Sequence, residues 1–290
     1  MNKLALGTAQ FGMNYGIANK FGKVSLLEVK KIIQLAKKNK IDLVDTAISY
    51  NESEKILGKV GVDNFKIISK LPNIKKGNFF VDRWLESQLE NSLKYLGVNK
   101  LYGLLLHQPK DLLGNLGKKL INKLNKFRNN GLVNKIGISI YDPSEFYEVK
   151  NLIKIDIIQA PLNVIDRRLV TSGCLSQLHK EGIEIHVRSV FLQGLLLMSR
   201  NEIPKKFNRW SSFWDMWSLE LNKSNLSAVE ACLSYPMSLP EIDKIIIGVN
   251  NASQLEEIIK ISSFKKTLNN FSFMKSDDQM LINPNNWRRI

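Results

Sequence analysis

Asp45 and Tyr50 stand five residues apart in "DTAISYNESEKILG", where the apolar run "IDLVDTA" gives way to a polar loop. Lys70 closes a second apolar run in "IISKLP", and His107 closes a third in "LLLHQP". A carboxylate, a phenol, an ammonium and an imidazole together make a proton-transfer set. A free phenol with a pKa of about 10 is a poor acid at neutral pH, but an adjacent cation favours its anion and eases release of the proton. Tyr50 is therefore the candidate acid and Lys70 its tuner. Asp45 would keep Lys70 charged and oriented, so that carboxylate and phenol serve opposite sides of one lysine. His107 would orient a carbonyl oxygen or assist the transfer.

Taken one at a time, these residues have plainer explanations. A strand-end aspartate often caps the next helix, a loop tyrosine often packs, and a strand-end lysine is often solvated. Their common position makes the stronger case, and that position follows from the elements around them. Eight short apolar or β-rich runs recur along the chain: "KLALGT", "IDLVDTA", "FKIISKL", "LYGLLLH", "NKIGISI", "IDIIQAP", "IEIHVRSV" and "DKIIIGV". Amphipathic stretches separate most of them. Over 81–96, Val81, Trp84, Leu85, Gln88, Leu89, Leu93 and Leu96 follow helical spacing, and Gly97 ends the helix.

Strands apolar on both faces and separated by helices imply parallel βαβ units, and eight of them predict an α/β (β/α)8 TIM barrel. An open doubly wound sheet fits less well, because no GxGxxG follows the first strand. One domain covers 1–290, with an accessory insertion around 195–222 where barrels keep substrate loops. Parallel strands lie about 4.8 Å apart, so side chains from three consecutive strand ends converge on one pocket. In the insertion, Trp210, Phe213, Trp214, Trp217 and Leu221 form a helical stripe. It reads first as packing, and secondarily as an aromatic lid.

Of 290 residues, 44% are hydrophobic and 24% charged, as in ordinary soluble domains. The N-terminus lacks a signal-peptide pattern and no segment is apolar enough to cross a bilayer, so a cytoplasmic location is expected, without membrane partners. Cys174 and Cys232 are far apart and are expected to be free thiols. The net charge of +15 comes largely from lysines at helix-like spacings, without a nucleic-acid-binding motif. That distribution predicts solvated helix faces and a phosphate-bearing small ligand rather than nucleic acid.

The chain also resembles the aldo-keto reductases over nearly its whole length. The resemblance runs from "LALGTAQFG" through "DTAISYNESEKILG", "LENSLKYLGVNKLYGLLLHQP", "KIGIS", "IQAPLN" and "VFLQGLL" to "IIIGVNNASQLEE". It implies a metal-free enzyme that reduces aldehydes or ketones with NADPH, less often NADH, through Asp45, Tyr50, Lys70 and His107. It further implies that Ser139 and Gln159 hold the nicotinamide carboxamide, and that Ser189, Gln193 and Gly194 wrap the pyrophosphate. Gly248, Asn250, Gln254 and Glu257 match the adenosine side, at a helix N-terminus suited to phosphate. Asn250 or Ser253 could equally cap that helix.

Three positions depart from the family pattern. Ile140 follows Ser139 where an asparagine is usual, Arg188 takes the place of a ring stacked on nicotinamide, and Asn250 stands where an arginine often grips the 2′-phosphate. The uncharged turn Val249-Asn250-Asn251 predicts modest discrimination, with NADPH favoured by the basic surface unless Lys244 reaches in. The departures also leave open a cofactor-binding barrel with little turnover, acting as a redox-sensing or regulatory subunit.

Overall fold

Alternation of apolar runs with amphipathic stretches leaves each strand needing cover on both faces, and closure supplies it. The computed structural model describes residues 2–74, 80–263, 271 and 274–290. Its strands β1 (Leu4–Gly7), β2 (Leu43–Asp45), β3 (Lys66–Leu71), β4 (Leu101–Leu106), β5 (Val133–Ser139), β6 (Ile157–Pro161), β7 (Glu184–Arg188) and β8 (Lys244–Gly248) form a closed barrel in chain order. Every neighbouring pair is parallel, including β8 with β1. Each of the eight runs read from the sequence supplies one strand.

Inside the barrel, Ala5, Leu43, Ile68, Leu105, Ile157 and Ile246 form a buried apolar plug. Outside it, alternate strand residues such as Leu4, Leu6, Val44, Ile67, Leu104 and Ile158 join the helix faces in a second, larger core. The predicted helix over 81–96 is Val81–Leu96, and Gly97 ends it in the left-handed conformation with φ 69°. A backbone of that sign suits glycine, which has no Cβ to clash.

Register decides what meets at the rim. Gly7 pairs with Asp45 on one side and Gly248 on the other, Lys70 with Leu105, Ser139 with Gln159, and Pro161 with Arg188. The inward residues at the strands' C-terminal ends therefore make one polar ring above the apolar plug.

The insertion between β7 and the helix Ala228–Ser238 comprises 3-10 turns at Leu192–Leu197, Arg200–Glu202 and Lys205–Trp210, then the helix Ser211–Ser224. Its aromatic stripe packs. Trp214 and Trp217 are buried, and their indole N–H groups donate to the carbonyls of Phe207 (3.2 Å) and Leu196 (3.2 Å). Phe207 meets Trp287 edge-on at 5.0 Å, tying the insertion to the C-terminal segment. None of the stripe residues lines the cavity at the rim, so the lid reading loses to packing.

Cys174 and Cys232 are free and buried. Among the described residues, no helix is long and apolar enough to cross a membrane.

Candidate active site

The loop after β2 carries Tyr50, and hydroxyl groups hold it in place. Thr8 Oγ1 donates to the Asp45 carbonyl at 2.9 Å, and Ser53 Oγ donates to the Thr8 carbonyl at 3.0 Å. Gly12 permits the close approach: a Cβ there would lie 1.8 Å from the Tyr50 carbonyl oxygen and 2.6 Å from the Ser53 nitrogen. Threonine, serine and glycine in "LGTAQFG" and "DTAISYNES" thus act as a clamp on the tyrosine.

Below the loop, Lys70 and Asp45 form a buried ion pair. Lys70 is fully buried, and its Nζ donates to Asp45 Oδ1 (2.8 Å), Asp45 Oδ2 (2.7 Å) and the Thr46 carbonyl (2.9 Å). Those bonds use all three ammonium hydrogens. Gln159 Nε2 adds a bond to Asp45 Oδ1 at 2.7 Å. The Tyr50 ring lies over the ammonium, with Nζ 5.2 Å from its centroid.

Burial, followed by the charge of Asp45, pushes the Tyr50 phenol above its ordinary value of 10.0, while Arg188 opposes the shift. The sign is opposite to that expected of a lysine-tuned acid. The physical reason is that Lys70 spends its donors on Asp45 and Thr46, and the phenol meets the face of that pair rather than its hydrogens. Burial likewise lowers Lys70 below 10.5, against the pull of Asp45.

His107 packs edge-on to Tyr50, with ring centroids 6.0 Å apart, and its Nδ1 lies 3.2 Å from Ser49 Oγ. Burial first, then the charges of Lys70 and Arg188, lower His107 from 6.5 to about 3. The imidazole is neutral at physiological pH and offers one N–H donor.

A cavity of about 320 Å³ opens beside this group. Every candidate site residue named from the sequence lines it except Lys70, His107, Ser139 and Gln159. Those four adjoin it: Lys70 and Gln159 bond to Asp45, His107 packs on Tyr50, and Ser139 pairs in register with Gln159. Tyr15, Thr8, Gln10 and Phe21 also line the cavity, and the sequence reading missed them. The only local signal was an aromatic and glycine-rich stretch, "FGMNYGIANKFG", following the first strand. Tyr15 is 36% exposed, and the partial desolvation of its phenol, with the neighbouring Tyr50, raises it to about 12.

The three departures take definite forms. The Ile140 side chain is buried in the outer core, so it brings nothing to the rim, while its carbonyl accepts from Arg188 Nη2 at 3.0 Å. The Arg188 guanidinium stacks on Tyr141, with Cζ 4.2 Å from the ring centroid, and Nη1 reaches Ser189 Oγ at 3.3 Å. Its planar face is thus taken by a ring of this chain. Lys244 lies at the far end of β8, bonded to Asp42 and to the Asn2 carbonyl (2.8 Å), and does not approach the Val249-Asn250-Asn251 turn.

Beyond β7 the backbone is strained. Ser189 (φ 61°), Leu192 (φ 47°) and Gln193 (φ 55°) are left-handed although none is glycine. Such conformations cost about 1–3 kcal/mol each and gather at binding sites. Gly194 (φ 87°) follows, and a Cβ there would lie 2.5 Å from Ala18 Cβ. At Gly248 a Cβ would meet Gln10 Nε2 at 2.5 Å, while Asn250 Oδ1 is buried without a partner. Glycine-lined backbone, an unpartnered acceptor and a proton-transfer group at the rim suit an elongated, hydroxyl-rich ligand such as a nicotinamide dinucleotide.

A closed parallel barrel with a cavity at the strands' C-terminal rim has the architecture of a barrel enzyme. The family model for the aldo/keto reductases matches residues 3–276, and the chain belongs to that family of NAD(P)H-dependent oxidoreductases, which act on small carbonyl substrates. Among solved structures it is similar to an aldo-keto reductase from Bacillus halodurans in its holo form, at 16% identity, TM-score 0.73, covering 94% of this chain and 90% of that one. It is also similar to a glycerol dehydrogenase from Gluconobacter oxydans, at 20% identity, TM-score 0.71, covering 92% and 88%. At these identities the likeness establishes the fold. Comparison by sequence with curated proteins gives no match.

Proposed function

We propose that the cavity binds NAD(P)H and that the protein reduces an aldehyde or ketone, sugar-type carbonyls included, with Tyr50 as proton donor. The observation that carries this reading is the position of the Tyr50 phenol, held protonated by burial and Asp45, in the same cavity as the glycine-lined turns. Bound there, the reduced nicotinamide would supply a hydride to the carbonyl carbon. Tyr50 gives its O–H proton to the carbonyl oxygen as negative charge develops on it. An alkoxide is roughly as basic as hydroxide, whose conjugate acid water has a pKa of about 15.7, so even a phenol above 10 gives up its proton downhill. Neutral His107 holds the oxygen through an N–H, and the Asp45–Lys70 pair keeps the phenol's surroundings rigid. Small carbonyl compounds of the cytoplasm are the substrates on this reading.

Single-turnover oxidation of NAD(P)H against a panel of aldehydes and ketones tests it. Tyr50→Phe should lower the rate by about 10²–10⁴-fold, the usual worth of a positioned acid. Equal rates in wild type and variant would sink the assignment. A second reading, a cofactor-binding barrel with little turnover, is favoured by one observation: Gln159 and Arg188, both expected at the nicotinamide, are bonded to Asp45 and Ile140. Tight cofactor binding with no oxidation across the whole panel would select it. NADH and NADPH satisfy the chemistry equally; what separates them lies at the adenosine end.

A further inference from the structure

Among the described residues, three charged side chains line the cavity: Asp45, Glu257 and Arg188. Asp45 is matched by Lys70. Glu257 stands on the helix Ala252–Ser262, which follows β8. Arg188 is the last residue of β7, opposite Pro161 in register and one strand over from Gln159, so its charge belongs to the proton-transfer end.

That cation is held by neutral groups. Its guanidinium stacks on Tyr141 and donates to the Ile140 carbonyl at 3.0 Å and to Ser189 Oγ at 3.3 Å. These partners fix its position without cancelling its charge. An arginine carries five N–H donors and a permanent positive charge, so two hydrogen bonds leave most of its donors unused. Among the described residues no carboxylate pairs with Arg188. Behind burial, its charge bears on Tyr15, Tyr50, Lys70 and His107 alike. At neutral pH Asp45 and Lys70 cancel, His107 is neutral and both phenols keep their protons, which leaves this end of the cavity with one uncompensated positive charge.

A nicotinamide ring is neutral when reduced and positive when oxidised. Both forms carry the same pyrophosphate and adenosine, so contacts to those parts cannot tell them apart. A fixed cation beside the ring can, because it repels only the oxidised form. We propose that Arg188 makes this site selective for the oxidation state of the nicotinamide, retaining the reduced cofactor and releasing the oxidised one. The inference rests on the reading of this cavity as the dinucleotide site, with the ring at the Tyr50 end. Loss of the hydride to a substrate creates the charge that Arg188 repels, so the oxidised cofactor leaves readily. Alcohol oxidation, which must begin with the oxidised form, is disfavoured for the same reason. In a barrel with little turnover, the same preference would report redox state.

Isothermal titration calorimetry of the full-length protein with NADH, NAD⁺, NADPH and NADP⁺ tests this without turnover. Each reduced form should bind at least about tenfold more tightly than its oxidised partner, as expected for two like charges within one pocket. Arg188→Met, which keeps an apolar stem against Tyr141, should bring the ratio to within about threefold of one, chiefly by tightening the oxidised form. Arg188→Lys keeps the charge and should preserve the ratio. Melting curves show whether each variant folds, and Arg188→Gln takes the place of Arg188→Met if the latter does not. Wild-type protein that binds both oxidation states equally overturns the selectivity and leaves the dinucleotide site standing. A ratio that survives removal of the charge overturns the assignment to Arg188. Parallel loss of both forms in Arg188→Met also overturns it, by placing the arginine on the pyrophosphate instead of the ring. Binding of none of the four overturns the dinucleotide site and the inference together.

Discussion

Tyr50 and His107 have their proton affinities moved away from neutrality in opposite directions, the phenol above 10.0 and the imidazole to about 3. Neither titrates in the middle of the pH range, so the chemical step should be nearly independent of pH from about 5 to 9. Single-turnover rates across that range check this, and a limb near 6.5 would show that His107 changes charge in the working enzyme. Stability should vary where activity does not. Unfolded, His107 takes up a proton at 6.5; folded, it does so only near 3, so stability falls as pH drops through that window. Glu184, lowered from 4.5 to about 2, contributes stability that is present above 4.5 and lost below it. Melting curves of His107→Gln should therefore lose the pH dependence between 6.5 and 4.5 and keep the acid collapse below. The buried Asp45–Lys70 pair makes a third case. Lys70→Met leaves the carboxylate buried with Gln159 as its remaining side-chain partner and should cost about 3–5 kcal/mol by chemical denaturation. Asp45→Asn added to it should recover most of that loss; no recovery would show that packing rather than charge sets the cost.

At the scale of elements, two packed loops set the precision of the site. The short helix Ala9–Gly12 meets the Tyr50 loop backbone to backbone at Gly12, where even one methyl group has no room. Gly12→Ala should cost about 1–3 kcal/mol by forcing the two apart, and should lower the single-turnover rate more than it weakens cofactor affinity. Gly114→Ala is a fitting control, since its Cβ would find nothing closer than the Asp111 carbonyl oxygen at 3.7 Å. If the two variants behave alike, the Gly12 contact does not position Tyr50. Across the cavity, the left-handed run at Ser189, Leu192 and Gln193 packs on the loop carrying Tyr15, where Ala18 N–H donates to the Gln193 carbonyl at 3.4 Å. Of these loops, the β7 side was legible in "RSVFLQGLL". The Tyr15 side was not, because a mixed polar and aromatic loop has no period to betray the face it presents.

For the whole molecule, the helix Ser211–Ser224 packs on the barrel, and none of its aromatic stripe lines the cavity. Trp214 is fully buried against Phe207 and Phe213, edge-on at 6.5 and 5.1 Å. Trp214→Ala should lower stability by about 3–5 kcal/mol, the usual cost of deleting a large buried ring. Cofactor affinity, measured below the melting transition, should be unchanged. A loss of affinity parallel to the loss of stability would mean that this helix also shapes the cavity.

The apolar runs by themselves determined the eight strands, their order and the class of fold, because a strand covered on both faces must be apolar on both faces. Closure in chain order then places every strand's C-terminal end on one rim, which is why Asp45, Tyr50, Lys70 and His107 group together from the sequence alone. Which atoms bond to which was decided only by the tertiary structure. Lys70 spends its hydrogens on Asp45 and Thr46, Gln159 turns to Asp45, and Arg188 lies on Tyr141. Glu28 reaches Ala252, 224 residues away, and places a carboxylate where the sequence offered an open helix end. Periodicity reports which face of an element is covered; the partner a polar group finds depends on separations of a few tenths of an ångström between segments that the chain order does not relate.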